Sequence, residues 1–468
     1  MNLKQFKHAY LAGIGGISVS AIAKLLLHHR VHVSGFDTAR SDITDELVRM
    51  GARVAARGAN VELPDGVDVL IYSEAVPKTD ALRMQAAGRG IKQMPAAGFW
   101  GAFSRGKKVI AISGTNGKST TTAMVGLMLE EAGYDPTAVV GTRVAQWDSN
   151  IRIGKSDWLV IEADEYAAKM LNYKPLIAVI TNISADHLDF YKDTNDIIKH
   201  FQAWVDSVSK SGIVIINRDD EASRALEIPR GMKRTFGVKG NSGVRAAGIA
   251  QTSGERGWVG NLSFNICDNS EDWGYAKMHV PGEHNLANAV AAAVAADSAG
   301  VPRKKILKAL SKFKGTWRRF ELAGEYRKAL VISDYGHHPD GIRATLRAAR
   351  DWYPFHRILA LFQPHHRNRT KKLFNEFADS FGRADEVIIS EIYDVSGRED
   401  SRDQDVSSKD LVEAIKKSRD VKVTYAPDLK DAEKQLKEKI KPNDVVIIMG
   451  AGDVDRVARN LTKHSPLL

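Results

Sequence analysis

The sequence predicts an α/β protein of three successive units with mainly parallel sheets. Strand-like apolar runs alternate with helical patterns along the whole chain. Glycine-containing turns follow two of these strands directly and open helices. The 468 residues suffice for three domains of about 150 residues each. Boundaries are expected at 1–105, 106–315 and 316–468.

In the first unit, residues 8–12 read as a strand, 18–28 as a helix and 31–36 as a second strand that ends at Asp37. Residues 45–50 look helical, and 67–72 form a buried apolar run. The basic segment 104–108 is the expected linker. The second unit opens with a strand over 108–113, a glycine turn and a helix over 119–132. Strands follow at 158–161, 177–181 and 212–216. Residues 239–275 are richer in Gly, Ser and Asn and read as turns and short strands. An alanine-rich helix over 285–299 would pack closely on a sheet. In the third unit, strands are expected at 331–333, 358–362, 386–390, 421–425 and 444–449, with helices over 340–352 and 370–381. The lysines of 434–441 lie on a helix whose other face carries Leu436 and Ile440, and read as a solvated face.

Composition narrows the function classes. Hydrophobic residues at 43% and charged residues at 26% are those of a soluble globular chain and exclude a disordered one. The longest apolar stretch, 289–296, is far short of the roughly 18 residues that span a bilayer. Lys4 and Lys7 precede an apolar segment, but Gly13, Gly15 and Gly16 interrupt it, and no small-residue cleavage site follows, so a signal peptide is not expected. A single cysteine, Cys267, excludes a disulfide framework and a cysteine zinc cluster within the chain and points to the cytoplasm. The net charge of +10 points to polyanionic partners: nucleic acid, an anionic membrane or phosphorylated small molecules.

The strongest motif is Ser113-Gly114-Thr115-Asn116-Gly117-Lys118-Ser119-Thr120, between a strand and a helix. Glycines let backbone amides turn toward a polyphosphate, the helix N-terminus adds its dipole, Lys118 supplies a point charge, and the Ser119 hydroxyl can ligate Mg²⁺. It is a shortened phosphate-binding loop, because the position of the first glycine in the longer pattern, Ile112, still belongs to the strand. Gly13-Ile14-Gly15-Gly16 follows the first strand, with Asp37 24 residues after Gly13, near the roughly 20 expected of a ribose-binding acid. This pattern alone leaves a nicotinamide cofactor, a UDP group and a plain tight turn open.

Glu162-Ala163-Asp164-Glu165 ends a strand, where carboxylates beside a phosphate loop can hold Mg²⁺. Thr181-Asn182-Ile183-Ser184-Ala185-Asp186-His187-Leu188-Asp189 follows another apolar strand. Two histidine pairs, His337-His338 and His365-His366, sit beside Asp334-Tyr335-Gly336 and Gln363-Pro364, again after strands. Adjacent side chains on an extended strand point to opposite faces, so neither pair is a ready metal chelate.

Taken together these motifs resemble the Mur ligase family, the ATP-dependent amide-bond ligases of peptidoglycan synthesis. The resemblance spans the chain and rests on GIGG, GTNGKSTTT, EADE, TNISADHLD, GEHNLANAVAA, WRRFE, DYGHHP, FQPHHRNRT and GAGD, in that order. DYGHHP, FQPH and GIGG point to the alanine-adding branch. The resemblance implies an N-terminal Rossmann-like domain for a UDP-sugar, a central P-loop ATPase domain, and a C-terminal Rossmann-like domain for the amino acid.

The resemblance also implies residue roles. Gly114 to Thr120 would cradle ATP, with Lys118 and Ser119 at its phosphates. Ser119, Glu162 and His187 would ligate Mg²⁺. His284, Asn285 and Asn288 would lie near the nucleotide, and Arg319 and Asp334 would reach ATP. Lys118, Glu162, His187 and Arg319 would be the catalytic set. Gly15, Gly16 and Asp37 would contact the UDP group, and Tyr335, His365 and Arg369 would face the amino acid.

The implied reaction joins L-alanine to the carboxylate of UDP-N-acetylmuramate through an acyl phosphate. The implied protein is cytoplasmic, a monomer or weak homodimer without nucleic-acid or membrane partners. The chain departs from the alanine-adding pattern at Asn116 and Ser119 (usually His and Thr), at His366 and Arg367 (usually Arg and Tyr), and over residues 166–170, usually acidic and serine-containing. The rivals are a sibling ligase that adds a recycled peptide or another amine, a nicotinamide-dependent dehydrogenase, and a nucleic-acid-binding NTPase. The dehydrogenase leaves the phosphate loop idle. The NTPase predicts a basic aromatic patch, whereas Lys and Arg are spread over all three units.

Overall fold

The computed structural model describes residues 1–55, 62–187, 190–228, 232–240, 242–252, 260–268, 271–394, 405–418 and 421–463. It is mixed α/β with three mostly parallel sheets. By packing, the chain divides into two compact units. One contains residues 1–245, 267–273 and 288–309; the other contains 246–266, 274–287 and 310–468.

The first unit carries two of the parallel arrays. One has the order Arg53–Ala55, His32–Phe36, His8–Ala12, Val69–Tyr72, Lys92–Pro95, and all its pairs are parallel. The helix expected at 45–50 starts earlier, at Asp42. Ser41 and Thr44 form a reciprocal capping box there, which satisfies amides that the apolar periodicity does not reveal. The expected linker 104–108 is shorter in fact, because the helix Ala96–Ser104 extends into it and buries Phe103 and Ser104.

In the other array, Met232–Gly237, Ile213–Asn217, Ile177–Ile180, Lys108–Ser113, Trp158–Glu162 and Thr137–Val144 are parallel neighbours, and Ser149–Arg152 closes the edge antiparallel. Three adjacent strands in it end in motifs. Ser113 is in register with Ile180, and Ile112 with Glu162. The phosphate loop, EADE and TNIS therefore leave the sheet side by side at its carboxyl edge, where ligands of open α/β sheets collect.

Of the turns and short strands expected over 239–275, the strands are present but longer, at eight or nine residues: Val244–Thr252, Asn261–Asp268 and Glu271–Met278. In Asn261–Asp268, Leu262, Phe264 and Ile266 alternate inward. The outward Asn and Ser positions dilute that period-two signal in the sequence.

In the second unit, a six-stranded sheet has the order Glu321–Tyr326, Ala329–Asp334, Val445–Met449, Ile358–Phe362, Glu386–Ser390, Lys422–Ala426. Only its first pair is antiparallel. Asp334, Met449 and Phe362 are in register, so DYGHHP, GAGD and FQPHHRNRT share one edge. The helix expected over 370–381 is broken into Arg367–Lys372, Phe374–Ala378 and a 3-10 turn, because Leu373 leaves helical geometry (φ −112°, ψ 27°). On the helix Leu429–Lys439, Leu436 is buried as expected, but the lysine face is not wholly solvated: Lys437 pairs with Glu433 at 2.5 Å and Lys439 with Glu386. No helix among the described residues is long and apolar enough to cross a membrane.

Candidate functional site

The phosphate loop is built by two glycines in conformations that side chains avoid, Gly114 (φ 133°) and Gly117 (φ 86°). A Cβ at Gly117 would collide with the Asn288 carboxamide, so Asn288 lies against the loop. The loop is braced by the neighbouring strand end. Thr115 N–H donates to the Asn182 carbonyl (2.9 Å), and Asn116 N–H donates to Asn182 Oδ1 (3.0 Å). Thr181 Oγ1 and Asn182 Nδ2 donate to the Asn116 carbonyl (2.6 and 2.9 Å), and Ser184 N–H donates to Thr115 Oγ1 (2.9 Å). Much of TNISADHLD is thus scaffolding for the loop; its Leu188 and Asp189 lie outside the described residues. Ser119 and Thr120 are buried in the first turn of the helix Lys118–Glu131.

Lys118 Nζ donates to the carbonyls of Gly114 (2.6 Å) and Thr115 (3.1 Å) and pairs with Glu165 at 2.8 Å. Burial pulls the lysine pKa down, but Glu165, Asp164 and Glu162 outweigh it and raise it. Burial pushes Glu165 up to about 7, against the pull of Lys118 and with the repulsion of Asp164. His187, held left-handed (φ 55°), places Nε2 3.6 Å from Glu165 Oε1, and its ring lies 4.7 Å from Tyr166.

Ligand atoms of Asp164, Glu165 and His187 all fall within 4.8 Å of one another. Two carboxylates and one imidazole are a donor set that suits a hard divalent cation. Glu162 is not in this group: its Oε2 accepts the Gly141 N–H at 2.7 Å. Asp164 and Glu165 stand out only through the fold, although EADE contains them. In the N-terminal array, Gly15 and Asp37 do come together, but the Asp37 carboxylate accepts the Gly15 N–H (2.7 Å), a bond that frames the turn. Gly16 caps the helix Ile17–His28.

In the second unit, Asn285 and His284 begin the helix Glu283–Ser298, and Asn285 Nδ2 donates to the Pro281 carbonyl (2.7 Å). Asp334 is buried and fully engaged. Its Oδ1 accepts from Gly336 N–H (2.7 Å) and Thr345 Oγ1 (3.0 Å), and its Oδ2 accepts from Phe320 N–H (2.7 Å). These bonds shape the turn 318–320, in which Arg318 and Phe320 are left-handed, and the Arg319 guanidinium rests 4.7 Å from the Tyr335 ring.

Tyr335, His337 and His365 follow one another at 5.0 and 6.2 Å, and Arg369 lies on the helix Arg367–Lys372 just beyond. Sequence reasoning missed Tyr393. It bridges to His365 through backbone bonds and stacks on that imidazole at 5.6 Å and 15°. A Cβ on Gly452 would sit 2.8 Å from the Tyr393 ring, so the GAGD glycine makes room for it. Arg367, at one departing position, bonds Asp394 (2.8 Å) and the Val406 carbonyl (2.6 Å).

Three family models match in order: "Mur ligase family, catalytic domain" over residues 8–108, "Mur ligase middle domain" over 112–296 and "Mur ligase, glutamate ligase domain" over 318–452. The chain is 35% identical to the UDP-N-acetylmuramate–L-alanine ligase of Caldanaerobacter subterraneus, with 99% of each chain covered. It is 38% identical to that of Clostridium novyi, with 96% of each covered. The crystal structure of UDP-N-acetylmuramate-alanine ligase from Thermotoga maritima superposes with a TM-score of 0.83 at 25% identity, covering 97% of this chain and 98% of that one. A murein peptide ligase from Psychrobacter arcticus shares the fold at a TM-score of 0.71 and 22% identity, covering 99% and 100%. With end-to-end coverage at this identity, the chain belongs to the Mur ligase family.

Proposed function

We propose that this chain joins L-alanine to the carboxylate of UDP-N-acetylmuramate at the expense of ATP, a ligation of peptidoglycan precursor synthesis in the cytoplasm. The full-length similarity to UDP-N-acetylmuramate–L-alanine ligases carries this reading. The three domains are 1–105 for the UDP-sugar, 106–315 for ATP and 316–468 for the amino acid, in a protein that is a monomer or weak homodimer.

The substrate carboxylate attacks the γ-phosphate of ATP, releasing ADP and giving an acyl phosphate. The amine then attacks the acyl carbon, and phosphate leaves. Such transfers depend on positioning and charge neutralisation. Lys118 exchanges Glu165 for the terminal phosphates, and the amides of Gly114 to Thr120 cradle them. Arg319 adds positive charge, and Asp334, which frames its turn, reaches ATP with it. Asn285 and Asn288 face adenine, with His284 beside the nucleotide. Asp164, Glu165 and His187 would hold Mg²⁺, with Ser119 and Glu162 as further oxygen donors, and the ion when bound would neutralise phosphoryl charge. His187, when it does not ligate the cation, or a neighbouring carboxylate takes the proton that the amine must lose. Gly15, Gly16 and Asp37 line the UDP end, and Tyr335, His365 and Arg369 the amino-acid end.

The test supplies UDP-N-acetylmuramate, ATP, Mg²⁺ and one amino acid at a time, and follows ADP and product mass. L-alanine-dependent ADP release with the matching product is expected. Release with a murein tripeptide and none with L-alanine would assign the chain to a sibling reaction.

A further inference from the structure

The chain folds back on the site just after its second carboxylate. Tyr166–Asn172 is a 3-10 turn interrupted by Ala167 and Ala168, both left-handed at φ 53°. That conformation costs an alanine about 1–2 kcal/mol, so the surroundings must hold it. Ala168 N–H donates to the Glu165 carbonyl (2.9 Å), Met170 N–H to the Asp164 carbonyl (2.9 Å) and Asn172 Nδ2 to the Lys169 carbonyl (2.9 Å).

The fold-back returns Lys169 to a carboxylate five residues upstream: its Nζ lies 2.8 Å from Asp164 Oδ2. The other oxygen, Oδ1, accepts the Tyr166 N–H at 3.1 Å. The Tyr166 ring is a neighbour of both cationic and imidazole partners, 5.1 Å from Lys169 Nζ and 4.7 Å from the His187 ring. The pairing in the cluster therefore alternates, Glu165 with Lys118 and Asp164 with Lys169. Burial raises the Asp164 pKa, but Lys169 and then Lys118 outweigh it and hold the carboxyl below its usual range. The two lysines differ in one respect. Lys118 belongs to the phosphate loop, and phosphate oxygens can draw it from Glu165. Lys169 lies outside that loop, five residues after the aspartate it neutralises.

We propose that Lys169 is an internal counter-cation that occupies Asp164 and so weakens the hold of the Asp164–Glu165–His187 group on a divalent cation. This rests on reading that group as a cation site. An incoming ion must displace an ammonium already 2.8 Å from one of its three donors. The group then takes an ion firmly only when other oxygens, such as those of a polyphosphate, complete the six positions that Mg²⁺ prefers.

The experiment titrates the full chain with Mn²⁺ and no nucleotide, reading free Mn²⁺ by electron paramagnetic resonance. Lys169→Met keeps the aliphatic stem and removes the charge. It should tighten Mn²⁺ binding about two- to five-fold, the range for a partly exposed ion pair. Lys169→Gln should do the same, and Lys169→Arg should match the parent chain. Unchanged or weaker binding in folded Lys169→Met and Lys169→Gln overturns the role of Lys169. Asp164→Asn tests the underlying reading separately. If the parent chain and Asp164→Asn bind Mn²⁺ equally, the group is not the cation site. If Asp164→Asn weakens binding and also cancels the gain from Lys169→Met, both statements stand, because such coupling identifies interacting partners.

Discussion

The phosphate loop with its carboxylates and the edge that carries DYGHHP, FQPHHRNRT and GAGD occupy the same kind of place, the carboxyl edge of a parallel sheet. They are built in opposite ways. At the first, the acids face cations: Glu165 meets Lys118 and Asp164 meets Lys169. At the second, the buried acid Asp334 is spent on two backbone amides and one hydroxyl, and the exposed chemistry falls to rings, with Arg319 over Tyr335 and His365 against Tyr393. Charge at one edge can be exchanged for ligand charge. At the other it fixes the shape on which uncharged faces are displayed.

Three substitutions sharpen or break this contrast. Lys118→Ala removes the cation of the exchangeable edge and should cut ADP release by about a thousand-fold or more, so its main readout is turnover. Asp334→Ala should act the other way round. It strands the amides of Phe320 and Gly336 and the Thr345 hydroxyl, each unsatisfied buried group costing about 1–3 kcal/mol, so the midpoint of denaturant unfolding should fall clearly. An unshifted midpoint would break the comparison. Gly452→Ala pushes a methyl against the Tyr393 ring and should raise KM for the amino acid about ten-fold, the range for a small misplacement of a positioning group, while KM for ATP stays put.

The smallest effect concerns a charge remote from both edges. Glu386 is buried, which raises its pKa, but Lys439 and Arg357 outweigh burial and lower it. A depressed carboxyl stabilises the fold above its unfolded pKa and loses that contribution as pH falls through the folded value. Glu386→Gln should therefore lower the thermal midpoint at pH 7 by a few degrees, and the gap to the parent chain should close as pH falls below about 4.

How much of this the sequence disclosed depends on range. Strand, glycines, lysine and hydroxyl lie within eight residues in the phosphate loop, so local pattern sufficed. EADE was legible as a group of acids, but which of them turn toward His187 depends on the fold-back after Glu165, and its two left-handed alanines carry no sequence signal. The resemblance drew attention to Asp334 for ATP. Its engagement by Phe320 and Thr345 depends on a turn 14 residues upstream and a helix 11 residues downstream, which no motif joins. Tyr393 follows an ordinary apolar strand, and only the bridge to His365 marks it. The strands between 244 and 278 are longer than the short strands and turns expected there, because their outward residues are the ones that turns favour.

The brace between the phosphate loop and residues 181–184 has a consequence for affinity. A loop that is loose until its ligand arrives must give up conformational entropy at that moment, roughly 1–2 kcal/mol for each residue ordered. Here Asn182 and Thr181 meet part of that cost during folding, since they hold the backbone of Thr115 and Asn116 through bonds made within the protein. The Asn182 carboxamide bonds both the N–H and the carbonyl of Asn116, and through that backbone it sets part of the free energy with which a nucleotide binds.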